Sequence, residues 1–134
     1  MTESLPMTEQ SVCQMLEEAG ARAMSRGGRS DNYGAPREYS FEVRAAFPNG
    51  LMLNIIARQY DYRDPWEATG RVNELVDVAL LRDGRHSTLP RGYEWFQNRD
   101  EEEGVIAEEL QLIVDCVKDL NPKLFALQKL TGDL

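Results

Sequence analysis

The sequence predicts an α+β domain in which a small antiparallel sheet of three to four strands, connected as a meander, packs against helices. One helix precedes the sheet and one or two follow it. Three observations carry this prediction: a helical apolar repeat near the N-terminus, an alternating strand pattern on both sides of Asn49-Gly50, and a second helical repeat after residue 105. A length of 134 residues fits one domain, so we expect a single unit over residues 1–134.

The first helix is predicted over residues 9–25, preceded by a frayed leader at 1–7. Thr8 is a suitable N-cap, and Met7 stands where a hydrophobic staple would place it. Gly27 and Gly28 are typical of a helix end. The apolar residues at helical spacing are Val12, Met15, Leu16, Ala19 and Ala23.

The segment 39–58 predicts a β-hairpin. A two-residue loop at Asn49-Gly50 would set Val43 opposite Ile56 and Phe41 opposite Arg58, whereas a three-residue loop at 48–50 gives one continuous apolar face. Register follows the buried face, so we predict the longer loop. It sets Phe47 opposite Leu51, Ala45 opposite Leu53, Val43 opposite Ile55 and Phe41 opposite Ala57.

The next segment is ambiguous between strand and helix. Over residues 72–81 the apolar positions fit both periods, but Asp83-Gly84 is typical of a hairpin turn, and a lone hairpin needs a third strand. We therefore favour a strand over residues 72–81, with a short fourth strand at 85–89.

The last long helix is predicted to begin at Asp100 as N-cap, with Glu103 completing a capping box. Asn121-Pro122 would end it, and a further amphipathic helix could follow. The predicted apolar stripe of the last long helix is Ile106, Leu110, Ile113, Val117 and Leu120, widened by Val105, Leu112 and Cys116.

Composition limits the function. The formal net charge is −8, which disfavours a nucleic-acid binder, because such a protein needs a basic face. Cys13 and Cys116 are far apart, and with one histidine they do not make a zinc site, so we expect no metal and no cofactor. We read both thiols as reduced in a cytoplasmic protein, and no apolar run long enough for a membrane span is present.

Three features are candidates for catalytic or anion-binding sites. The glycine- and arginine-rich stretch at 25–39 follows a helix and precedes a strand, the reverse of a phosphate-binding loop, so we read it as a solvated connection. His86 lies beside a predicted turn and is expected to be exposed rather than catalytic. The acidic clusters, among them Glu101 to Glu103, are expected to serve helix capping and solubility.

Aromatic residues in the irregular segments are the remaining candidates for a site. They cover the core or anchor an interface, and tryptophan and tyrosine are enriched at interfaces. The predicted partner- or ligand-binding residues are Tyr60, Tyr62, Trp66, Tyr93, Trp95 and Arg91.

These observations predict a small acidic, non-enzymatic cytoplasmic module that binds another protein or serves as a regulatory or accessory protein, and that acts as a homodimer. The surplus of apolar residues on the outer hairpin face, at Ala46, Met52 and Ile56, favours that hypothesis. One alternative is a small-molecule-binding domain with a pocket rimmed by Tyr60, Trp66, Tyr93 and Trp95. A third hypothesis, an enzyme using His86, has the least support. No membrane and no nucleic acid are expected as partners.

Overall fold

The computed structural model describes residues 7–25, 29–30, 38–58, 75–89, 92–121 and 123. Two helices and seven strands lie within these ranges. In chain order they are α1 (Glu9–Glu18), β1 (Arg22–Ser25), β2 (Arg29–Ser30), β3 (Glu38–Ala46), β4 (Leu51–Arg58), β5 (Val76–Arg82), β6 (Arg85–His86), β7 (Glu101–Val105) and α2 (Ala107–Lys118).

The strands form one antiparallel sheet whose centre is the predicted meander, β3-β4-β5. Two short strands, β1 and β2, pair with the outer edge of β3, and β6 and β7 pair with the outer edge of β5. The α+β class is therefore confirmed, but the sheet has more strands than the three or four predicted. The extra strands are short edge pieces, with too few residues to show a clear alternation.

Helix α1 begins as predicted and ends earlier. The amide of Ser11 donates to Thr8 Oγ1 at 2.9 Å, and Met7 is buried. The helix stops at Glu18, not near residue 25, because Gly20 has a φ of +88°. The amide of Ala21 then donates to the carbonyl of Leu16 at 3.0 Å, a Schellman-type end that turns the chain into β1.

The hairpin has the predicted three-residue loop and register. Ala45 pairs with Leu53, Val43 with Ile55 and Phe41 with Ala57. The amide of Phe47 donates to the carbonyl of Leu51 at 2.9 Å and closes the loop. Gly50 has a φ of +90°, the left-handed conformation that the pattern required.

The ambiguous segment is a strand where it is described. Strand β5 covers residues 76–82, while residues 72–74 lie outside the described ranges. Asp83 and Gly84 have φ values of 54° and 77°, which is the two-residue turn typical of Asp-Gly. The predicted fourth strand is present as the two residues of β6.

The predicted start of the last helix at Asp100 is wrong. Residues 101–105 form strand β7, and α2 begins at Ala107. Gly104 has a φ of +67° at an irregularity in this strand, where its amide donates to Asp77 Oδ1 at 3.0 Å. The pairing of these residues with β5 therefore outweighs the preference of Glu101 to Glu103 for the first turn of a helix. The N-terminal bond of α2 instead runs from the amide of Ile106 to Glu109 Oε1 at 3.2 Å.

One face of the sheet carries the core. Side chains of β3, β4 and β5 alternate inward and meet the buried faces of both helices. The fully buried members include Val12, Leu16, Val43, Leu53, Ile55, Val78, Leu80, Leu110, Ile113 and Val117. Neither helix in the described ranges is long and apolar enough to cross a membrane.

Candidate functional site

Of the six residues of the predicted aromatic site, the structure describes two, Tyr93 and Trp95. Tyr60, Tyr62, Trp66 and Arg91 lie outside the described residues. Tyr93 and Trp95 are half-buried and pack against the core cluster from the segment 92–99, which joins the buried Leu89 to β7. The aromatic-rimmed pocket also needs Tyr60 and Trp66, so it stays a prediction.

The segment 92–99, called here the Trp95 loop, is anchored by Phe96. Its side chain is fully buried although its backbone has a φ of 56°, a conformation that aromatic residues rarely adopt. The amide of Phe96 donates to Glu102 Oε2 at 3.3 Å, and its carbonyl accepts from the amide of Leu89 at 2.9 Å. Burial and hydrogen bonds at both ends of the residue hold the unfavourable conformation in place.

Further contacts hold the same loop. Gln97 Nε2 lies 3.4 Å from the carbonyl oxygens of both Leu89 and Trp95. Asn98 and Gly92 also have positive φ values, 63° and 99°. A non-glycine residue in this region costs about 1–3 kcal/mol, and such residues concentrate at functional sites. The Trp95 loop therefore holds the half-buried Trp95 on a backbone that has unfavourable conformations at Phe96 and Asn98 and is fixed by hydrogen bonds.

Helix α2 carries Cys116, which, like Tyr93 and Trp95, is partly buried and packs against the core cluster. Burial raises the pKa of the Cys116 thiol, and the negative charges of Asp119 and Glu94 raise it further. Leu112 precedes Cys116 by one helical turn on the same side of α2. Its side chain is 53% exposed, so the prediction that Leu112 widens the core stripe is wrong. Tyr93, Trp95, Leu112 and Cys116 are called here the Trp95 surface.

Acidic residues surround the exposed leucine. The residues three and four positions from Leu112 are Glu108, Glu109, Asp115 and Cys116, so three of these four neighbours carry a carboxylate. The nearby cation Lys118 has its Nζ 3.7 Å from Asp115 Oδ1. An apolar patch inside a negative potential favours a basic partner over an acidic one.

The outer edge of β5 carries a second group of acids. Burial raises the pKa of Glu101, and Asp77, Glu103 and Asp100 raise it further, while His86 acts in the opposite direction. His86 is exposed, as predicted, and its Nδ1 lies 3.7 Å from Asp100 Oδ2. Among the described residues no group of three or more His, Cys, Asp or Glu side chains is arranged to hold a metal ion.

The cysteines and the arginine-rich stretch add little chemistry. Cys13 and Cys116 are both free thiols, and burial, then Glu9 and Glu17, raises the pKa of Cys13. Raised thiol pKa values oppose the thiolate form that nucleophilic chemistry needs. The stretch 25–39 is not simply a connection, because residues 29–30 form β2 and residue 38 begins β3. Residues 26–28 and 31–37 lie outside the described residues.

Sequence reasoning missed the anchoring of the loop and the exposure of Leu112. The sequence places Glu102 in a helix cap, whereas its carboxylate accepts the amide of Phe96. The sequence feature that points to this loop is the cluster of three aromatic residues, Tyr93, Trp95 and Phe96. Phe96 is fully buried. Comparison of the chain with protein-family models, curated proteins and solved structures gives no match in any of the three.

Proposed function

We propose that this chain is a small acidic, non-enzymatic module of the cytoplasm that binds another protein through the Trp95 surface and acts as a homodimer. The observation that carries the proposal is the Trp95 loop. Its buried, positive-φ Phe96 fixes a loop whose neighbouring aromatic side chains are only half-buried. Rigid aromatic residues with partial exposure are typical anchors of protein interfaces, because little side-chain entropy is lost when they bind.

The exposed Leu112 extends the anchor onto α2. A large apolar side chain that is 53% exposed gains free energy when a partner covers it. Leu112 and the loop aromatics would contact an apolar stripe of the partner, and the carboxylates of Glu108 and Asp115 would face its basic residues. The partner chemistry that fits is a basic amphipathic segment.

The proposal can be tested with two synthetic peptides of equal positive charge. One is a helical Leu/Lys peptide with an apolar face, and the other is a Ser/Lys peptide without one. A Trp66→Phe variant leaves Trp95 as the only tryptophan, so its fluorescence reports on the site directly. At about 0.15 M salt, where charges are screened beyond roughly 8 Å, we expect the Leu/Lys peptide to change the Trp95 emission and the Ser/Lys peptide to leave it unchanged.

Two variants decide whether that binding uses the Trp95 surface. Leu112→Lys should abolish the response, since it removes the apolar contact and repels the peptide. Met24→Lys makes the same kind of change at an exposed methionine on β1 and should leave binding intact. Equal responses to both peptides, or equal effects of both variants, would show general charge attraction and contradict the proposal.

A further inference from the structure

The sheet has a second face, opposite the one that carries the core. Antiparallel pairs point their side chains to the same face, so its members follow from the register. Ala46 pairs with Met52 and Met52 with Leu81, while Ile56 pairs with Asp77. These four apolar side chains are not part of the cluster that the helices bury.

The middle of this face is apolar except for Asn54, which lies between Met52 and Ile56 on β4. Ala46 is exposed, and Met52, Ile56 and Leu81 are half-buried. Among the described residues, neither α1 nor α2 lies on this side, since the buried residues of both helices belong to the core of the other face. An apolar row that crosses three neighbouring strands, as Ala46, Met52 and Leu81 do, is typical of a packing surface rather than of a solvated one.

The charges on this face are divided between its two edges. At the β1-β3 edge, Arg22 pairs with Ala46, and Arg44 pairs with Asn54. Glu42 of β3 is also on this face, but only 5% of it is exposed, so the accessible charge there is basic. At the opposite edge, Asp77 and Glu101 lie on β5 and β7, and the accessible charge is acidic.

A face that is basic at one edge, apolar in the middle and acidic at the other is complementary to itself. A twofold axis parallel to the strands, passing over β4, would place each basic edge over the acidic edge of the other copy. The same rotation would stack the apolar middle on itself, with Met52 near the axis. An axis across the strands would instead oppose like charges. Closed twofold assemblies of this kind are the commonest form of homo-oligomer.

We propose that the second sheet face binds a second copy of this chain, with the twofold axis parallel to the strands. This inference rests on the homodimer part of the proposed function and adds the surface and the orientation. The apolar side chains would form the centre of the interface and the arginines and carboxylates its outer parts, which is the usual arrangement of polar and apolar residues in an interface.

Sedimentation equilibrium of the full chain tests the proposal. We expect a dimer, with Met52→Glu raising the dissociation constant at least about tenfold. Arg44→Glu and Glu101→Arg should each weaken the dimer as well. The Arg44→Glu/Glu101→Arg double variant should restore it, because the two substitutions exchange charges that face each other across the axis. Within one chain these residues are separated by β4 and β5, so restoration would not come from a contact inside the protomer.

The control is Leu112→Glu, which introduces the same charge on α2 and should leave the dimer intact. Circular dichroism checks that each variant is folded, and if Met52→Glu does not fold, the two charge variants and their combination decide. A dimer that all these variants leave unchanged would overturn the assigned face but not self-association. A monomer at every concentration would overturn both, whether the face is solvated or covered by another segment of the chain. Binding of the Leu/Lys peptide is read separately and is unaffected by either result.

Discussion

The side-chain amide of Asn49 donates to the carbonyl oxygen of Val117 at 2.8 Å, although 68 positions separate the two residues. The same nitrogen donates to the carbonyl of Leu120 at 3.0 Å, and Asn49 Oδ1 accepts from the amide of Leu51 at 3.1 Å. The final carbonyls of a helix lack partners within the helix. The turn of the β3-β4 hairpin therefore provides the C-terminal cap of α2 and joins the sheet to the helix.

Replacing this amide should destabilise the fold. We expect Asn49→Ala to lower the free energy of unfolding by about 2 kcal/mol, since it removes the side-chain donor to the part-buried carbonyls of Val117 and Leu120, of which Val117 still accepts from the amide of Leu120 at 3.2 Å. Asn49→Asp keeps the acceptor for Leu51 but adds a negative charge at the negative end of the helix dipole, so it should be no more stable than Asn49→Ala. Urea denaturation measures both.

The matched control is Asn121→Ala. Asn121 is exposed, and its Oδ1 accepts a local bond from the amide of Lys123 at 3.0 Å. Its replacement should change the free energy of unfolding by no more than about 0.5 kcal/mol. If both asparagine variants lost the same stability, the bond from Asn49 to Val117 would not explain the effect.

Alanine substitutions of two adjacent aromatic residues of the Trp95 loop should differ in their effects on stability and on peptide binding. Phe96→Ala empties a fully buried site and should lower the free energy of unfolding by about 3–5 kcal/mol. Trp95→Ala removes a half-buried side chain and should have a smaller effect on stability, while abolishing binding of the Leu/Lys peptide, which calorimetry can follow. If Trp95→Ala unfolds the protein, or leaves peptide binding unchanged, Trp95 covers the core and is not an anchor for the partner.

The hairpin shows what the sequence could predict. Its loop and register follow from local turn chemistry and from one apolar face, and both are present as predicted. Asn49 itself appeared only as a turn residue, because its bond to Val117 depends on where a distant helix ends. A pattern read along the chain contains no information about that position.

The acidic stretch shows why other predictions failed. Glu101 to Glu103 after Asp100 fit a helix start, and only the pairing with β5, with Asp77 accepting the amide of Gly104, makes them a strand. Of the candidate site, Tyr93 and Trp95 could be named from composition alone. The exposure of Leu112 could not, because a helix stripe shows its width only once its neighbours are in place.

The negative field at Cys116 should control the reactivity of its thiol. Burial raises the pKa of Cys116, and Asp119 and Glu94 raise it further, so at pH 7.5 less thiolate is present than in an unperturbed cysteine. In a Cys13→Ser chain, we expect iodoacetamide to react more slowly than with a short cysteine peptide. Glu94→Gln should speed the reaction by lowering the pKa, whereas Glu103→Gln, which is not among the causes of the shift, should not. If Glu94→Gln leaves the rate of reaction with iodoacetamide unchanged, Glu94 is too far from Cys116 to affect its pKa. The Trp95 loop and α2 would then not form one surface.

Glu101 should make the stability of the fold depend on pH. Its pKa in the folded chain is raised above the ordinary value of 4.5, first by burial and then by Asp77, Glu103 and Asp100. Between 4.5 and the raised pKa, the folded state binds more protons than the unfolded state. The contribution of this group to stability is therefore fully present below pH 4.5 and is lost as the pH rises through the folded pKa.

Glu101→Gln removes that loss, because the amide is neutral at every pH. At protein concentrations where both chains are monomeric, we expect the variant to be more stable than the parent chain at pH 7, and the difference to shrink as the pH falls towards 4.5. Urea denaturation at a series of pH values measures it. A Glu101→Gln variant that is less stable than the parent at pH 7 would mean that the carboxylate accepts bonds worth more than the repulsion it experiences.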